Sequence, residues 1–228
     1  SPSNYAEWER LGVALTIQGA PICNVDNVMR VLDGRQELRG LLWYDEFHKR
    51  AFTRFDFLTW EPTALAREWS DVDVLHLTSF FQRHLGLARI GDDTIHKGAV
   101  LYAHSNARNE PRDWLDGLRW DGVPRIQACL SDHFGAEDSA YIQAVSRNLW
   151  VGMAARVYRP GCQLDNMIVL EGHQGSGKSK ALRIIGGSWF AEAHESVTRR
   201  DFFMVLQGRL LVEIAEMDAF SRAEVTKI

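Results

Sequence analysis

The sequence is poor in cysteine: Cys23, Cys129 and Cys162 stand far apart, and none forms a Cys-x-x-Cys pair. That number and spacing exclude a disulfide framework and suggest no zinc site. Long apolar runs are missing as well. Stretches such as Leu210 to Val212 are far too short to cross a bilayer, and the first residues lack a charged-then-apolar signal pattern. No membrane partner is expected, and a cytoplasmic location is. There is no excess of positive charge either, since the formal net charge is −4. Composition therefore gives no general attraction to nucleic acid, although a local stripe of Lys and Arg can still meet phosphates. Internal repeats and low-complexity tracts are also lacking. What is present is ordinary globular material, 46% hydrophobic and 25% charged over 228 residues, enough for one large core or two modest ones.

Two folded parts are expected. Apolar stretches at Gly40 to Tyr44 and Ala51 to Phe57, separated by the charged turn Asp45 to Arg50, read as a small antiparallel unit. Val74, Leu77, Phe81 and Leu85 recur at helical steps up to Gly86, and a second helix is expected from Asp92 to His104. These place a mixed, partly helical domain over residues 1–115. Residues 116–165 read as a helical linker, with a boundary near Trp114 to Arg125 and a long helix over Glu137 to Arg159 ended by Pro160-Gly161. From 166 onward short apolar strands alternate with helices: a strand at Met167 to Leu170, a helix at Lys178 to Ile185, and a strand at Trp189 to Ala193. A helical connection follows at Ser196 to Gln207, then a strand at Arg209 to Ala215. Such alternation implies an α/β core with a parallel sheet. Ser221 and Glu224 have the spacing of a capping box, yet only a few residues follow, so residues 166–228 read as a partial, C-terminally truncated core.

Chemistry concentrates in one place. Gly172-x-x-x-x-Gly177-Lys178-Ser179 (GHQGSGKS) lies between an expected strand and an expected helix, the setting in which a phosphate-binding loop works. Gly172, Gly175 and Gly177 allow left-handed turns that carry backbone N–H groups, Ser176 among them, up to phosphate oxygens at the positive end of the helix. Lys178 brings a mobile charge to the β- and γ-phosphates, and the Ser179 hydroxyl is a magnesium ligand of the usual kind. ATP with Mg2+ is the expected ligand. A second requirement is a carboxylate at the end of a neighbouring strand, and Leu210 to Asp218 carries Glu213, Glu216 and Asp218. Strand alternation puts 216 and 218 on one face and 213 on the other. Glu216 is the first choice for holding magnesium and orienting water, while Glu213 is either catalytic or part of a structural ion pair. His173 reads as a spacer, and Arg199, Arg200 and Arg209 as surface charges open to DNA or a neighbouring subunit.

The order Trp120-Asp121-Gly122-Val123-Pro124-Arg125, a long helix closing with Arg156 and Arg159-Pro160-Gly161, the loop from Gly172 to Ser179, and Gly208-Arg209 leading to Val212 through Glu216 resembles the virulence-associated E family. The resemblance covers roughly residues 70–228. It implies a P-loop NTPase core of AAA+ type, related to superfamily 3 helicases, and an ATP-driven motor of a phage or mobile-element primase-helicase acting on DNA as a homo-oligomeric ring. Lys178 and Ser179 match the first nucleotide motif of that family and Glu216 the second. A sensor strand, an arginine finger and a basic DNA-contacting segment would be expected beyond position 228, so nucleotide binding without turnover is an expectation for this stretch. Two other readings use the same loop: a small-molecule or nucleoside kinase, and a nucleotide-gated interaction module.

Overall fold

In the computed structural model, which describes residues 2–193 and 200–214, the chain opens with the helices α1 (Pro2–Leu11) and α2 (Val25–Gly34). Helix α2 starts at Asn24, whose side chain accepts the Asn27 amide and so satisfies one of the orphan donors of the first turn. The fully buried Asn27 then pins the preceding segment. It accepts from the Ala14 amide at 2.7 Å and donates to the carbonyls of Ala14 and Ile22 at 2.9 and 2.8 Å.

Strands β1 (Leu42–Asp45), β2 (Arg50–Asp56) and β3 (Glu61–Glu68) form an antiparallel sheet in that order. Helix α3 (Asp71–His84) follows, and its Asp73 accepts the Ser70 amide at 2.9 Å and a two-pronged contact from Arg67 at 2.7 and 2.5 Å. Val74, Leu77 and Phe81 on α3 and Ile95, Ala99 and Tyr102 on α4 (Asp92–Ser105) are buried with Val28, Leu32, Leu42 and Phe55 in one core. Helices α2 and α4 meet closely at Gly98, where an added Cβ would lie 2.5 Å from the Val28 side chain.

Contacts divide the chain into two units, Ser1–Asn109 and Glu110–Ile228. The second contains α5 (Glu110–Gly117), α6 (Cys129–Phe134) and α7 (Ala140–Tyr158), the last capped by the Ser139 hydroxyl, which accepts the Ile142 amide at 3.2 Å. Then come α8 (Lys178–Gly186), a short 3-10 turn at Gly187–Trp189, β4 (Phe190–Ala193), α9 (Arg200–Leu206) and β5 (Leu211–Ile214). Strands β4 and β5 pair in parallel, Phe190 opposite Leu211 through Ala193 opposite Ile214, with α9 between them in the chain.

One expected strand is not formed. Met167 to Leu170 has no strand partner among the described residues, and Met167 and Val169 remain 45% and 56% exposed. A run of apolar residues supplies the burial preference of a strand, but the strand itself exists only where a neighbour completes the hydrogen-bond ladder. The three cysteines are free, with Cys129 buried and Cys23 and Cys162 exposed. No helix among the described residues is long and apolar enough to cross a membrane.

Candidate functional site

The glycine-rich loop hangs between an irregular lead-in and α8. The lead-in docks on α7 where that helix has no side chain: Leu164 occupies the notch at Gly152, within 3.0 Å of where a Cβ would stand. The loop turns through Gly175 and Gly177 at φ angles of 78° and 87°, left-handed values that other residues adopt only under strain. Gly177 is also the residue ahead of α8, so no side chain caps the first turn of that helix.

Lys178 curls back over this loop. Its Nζ donates to the Gly172 and His173 carbonyls at 2.8 and 3.1 Å and to Ser176 Oγ at 3.3 Å. The loop therefore carries its ammonium within itself, on a partly exposed side chain. One residue on, the Ser179 hydroxyl donates to Glu213 Oε1 at 2.6 Å and joins α8 to β5. The other oxygen of Glu213 is buried with no hydrogen-bond partner among the described residues. Such an atom is costly unless something else meets it. Loop residues Gly175 to Ser179, β5 from Leu211 to Ile214, and parts of α6 and α7 border a single cavity of about 940 Å3.

Behind the loop, α7 reaches the α9–β5 connection through Arg156, which donates to the carbonyls of Leu206, at 2.5 Å, and Arg209. Tyr158 donates to Asp116 of α5 at 2.5 Å, and this contact raises the pKa of its phenol. The segment Trp120 to Arg125 is a self-braced turn. Arg125 donates to both oxygens of Asp121 at 2.9 and 2.7 Å, the Val123 amide donates to Asp121 Oδ1 at 3.0 Å, and Trp120 Nε1 donates to the Val123 carbonyl at 3.2 Å. The Arg125 hydrogen bonds, with that of the Val123 amide, hold the Asp121 carboxyl at about 2. Ser146, buried in α7, donates to the Ile126 carbonyl at 2.5 Å and fixes the end of this turn to the helix.

Residues 115–228, half of the 228-residue chain, match the family profile of the virulence-associated protein E-like domain. The chain belongs to the virulence-associated protein E-like family. No curated protein matches it. The domain shared by this family takes in the Trp120–Arg125 turn, α7, the glycine-rich loop and β5, and leaves the N-terminal unit outside the match.

Within this virulence-associated protein E-like domain, the residues singled out from the sequence fall into three groups. Gly172, Gly175, Ser176, Gly177, Lys178 and Ser179 form the loop and the start of α8, and Glu213 is brought to them from β5. Arg209 instead donates to the Ser188 carbonyl at 3.1 Å and braces the turn before β4. Glu216, Asp218, Arg199 and the Arg200 side chain lie outside the described residues. Sequence reasoning missed the second carboxylate beside α8, Glu192, which meets Arg183 at 3.2 Å. The pair Arg183 and Glu192 carries no motif, and only the packing of α8 against β4 reveals it. It also left unmarked the α6 and α7 side chains that wall the cavity.

Proposed function

We propose that the C-terminal unit is the ATP-binding motor domain of a phage or mobile-element DNA replication protein of primase-helicase type, built on a P-loop NTPase core. The observation that carries the reading is the 2.6 Å hydrogen bond between Ser179 and Glu213, which sets a hydroxyl and a carboxylate together directly behind the glycine-rich loop. These are hard oxygen donors, one with a buried partnerless atom beside it, and they fit a magnesium ion that completes its shell with water and phosphate. Ser179 and Glu213 would hold the ion. When bound, it would supply charge neutralisation between the β- and γ-phosphates.

In this reading the loop amides and Lys178 bind and orient the triphosphate, with Lys178 exchanging its carbonyl partners for phosphate oxygens. The role of holding the ion passes from Glu216 to Glu213 because Glu213 contacts Ser179, and Glu216 is left to orient the attacking water. Water then attacks the γ-phosphorus in line, the bond to the bridging oxygen breaks, and the proton of the water passes to solvent by way of Glu216. Binding and release of ATP are coupled to DNA through a ring of subunits.

The test is phosphate release from ATP by the chain at low salt, with and without single-stranded DNA, because phosphate contacts weaken steeply as salt rises. Release that DNA stimulates, and that Lys178→Ala abolishes, assigns the motor, whereas ATP binding without release, the expectation for this stretch by itself, supports the nucleotide-binding part of the reading alone. Phosphate transfer to a nucleoside hydroxyl in place of release would assign a kinase, and failure to bind ATP at all would remove the nucleotide reading.

A further inference from the structure

The cavity is larger and more apolar than a triphosphate needs. Pockets for small ligands commonly span roughly 300 to 1,000 Å3, and this one, at about 940 Å3, continues from the loop to Leu130 and Phe134 on α6 and Leu149 and Met153 on α7. Hydrocarbon side chains give nothing to a phosphate and suit a flat heterocycle. Phe134, half-buried, is the single aromatic side chain among the described residues that border the cavity. One turn of α7 away from Gly152, the exposed Asn148 also borders it, and its side-chain amide makes no hydrogen bond to another described residue.

We propose that this part of the wall is a base-recognition subsite in which Phe134 stacks on the nucleotide base and the Asn148 amide reads its edge, selecting adenine over guanine. The inference rests on the nucleotide reading above. An Asn amide donates and accepts side by side, which matches the N7 acceptor and N6 donor of adenine. Guanine offers two acceptors, N7 and O6, so the amide oxygen would face a lone pair. Position favours Asn148 over the other free amides of the cavity, Asn166 and Gln174, because those lie in irregular backbone. Asn148 stands on a helix fixed on either side, by the Ser146 contact to Ile126 and by Leu164 seated at Gly152. A side chain that must discriminate needs such a rigid support.

The experiment is competition against a fluorescent ATP analogue bound to the whole chain with magnesium, using ATP, GTP and inorganic tripolyphosphate. ATP is expected to compete better than GTP by roughly five- to a hundredfold, the discrimination one two-pronged base contact gives. Asn148→Ala should bring the two nucleotides within about twofold of each other. Phe134→Ala should weaken both by a common factor of about fivefold or more, and Phe134→Tyr should restore them. Tripolyphosphate should compete equally with every variant, which shows that the loop is still folded. An unchanged ATP-to-GTP ratio in Asn148→Ala, or a loss of tripolyphosphate binding that parallels the loss of ATP, overturns the subsite and leaves the phosphate loop standing. A wild-type chain that binds neither ATP nor tripolyphosphate overturns the subsite together with the nucleotide reading.

Discussion

Glu192 and Glu213 stand opposite each other across the parallel β4–β5 pair, and each engages α8, Glu192 through Arg183 at 3.2 Å and Glu213 through Ser179 at 2.6 Å. Ser179 and Arg183 are four residues apart and so share one face of the helix. The two carboxylates are nevertheless unlike. Glu192 meets a cation, with the Arg183 guanidinium also 5.6 Å from the centre of the Phe190 ring, whereas Glu213 meets only a neutral hydroxyl and keeps one oxygen partnerless among the described residues. The first is a structural pair; the second has spare acceptor capacity beside the glycine-rich loop.

That difference predicts the behaviour of Glu213→Gln. The amide keeps the shape and hydrogen-bonding reach of the carboxylate but removes its charge. Folding stability should stay within about 1 kcal/mol of wild type, because the amide oxygen still accepts from the Ser179 hydroxyl and only the charge assistance of that one hydrogen bond is lost. The gain in ATP affinity on adding magnesium should shrink by roughly tenfold, as for a lost charge-assisted contact. Titrations in magnesium and in EDTA, beside a urea unfolding curve, check both parts.

The Trp120–Arg125 turn has a pH signature. Hydrogen bonds from Arg125 lower the folded pKa of Asp121 from 3.8 to about 2. A folded value below the unfolded one means that the carboxylate supports the turn fully above the unfolded pKa and ceases to do so as pH falls through about 2. A carbon-detected NMR titration of the Asp121 carboxyl should find its midpoint near 2, and Arg125→Gln should return it towards 3.8. A wild-type midpoint near 3.8 would contradict the braced turn.

In the N-terminal unit, Asn27→Ala should be costly. The buried amide serves the Ala14 amide and the carbonyls of Ala14 and Ile22, and truncation leaves these groups without their partner in a closed space. A loss of about 2 to 4 kcal/mol is expected, more than one hydrogen bond is worth, because unsatisfied buried groups carry their full desolvation cost. Chemical denaturation of the variant measures it.

Much of this fold is legible in the sequence where the apolar period is strong. Val74, Leu77 and Phe81 announce α3, and Ser139 sets the start of α7 three residues later than periodicity alone suggests. Helix α2 carried a readable signal as well, the Asn24 cap ahead of Val28, Val31 and Leu32, which is plain once the core is seen. Strand β3 did not, because Glu61 to Glu68 is mostly exposed and shows no alternation. Met167 to Leu170 misleads in the opposite direction, apolar throughout yet unpaired among the described residues. The spacing of the glycines with Lys178 and Ser179 marks the loop, and the strand after Leu210 marks Glu213 and Glu216 as its acidic candidates. Strand alternation separates those two, but only packing tells which face of β5 the helix α8 covers, and it brings Glu213 to Ser179.

The most direct test of the account is the equilibrium affinity of the chain for ATP with magnesium, measured by calorimetry on wild type and Lys178→Ala. The Lys178 contacts are to its own loop and partly exposed, so the variant should unfold within about 1 kcal/mol of wild type. Its affinity should fall by at least roughly tenfold, the loss expected for one charge-assisted hydrogen bond to phosphate. Equal affinity in the two proteins, or no binding by wild type at millimolar ATP, would contradict the account.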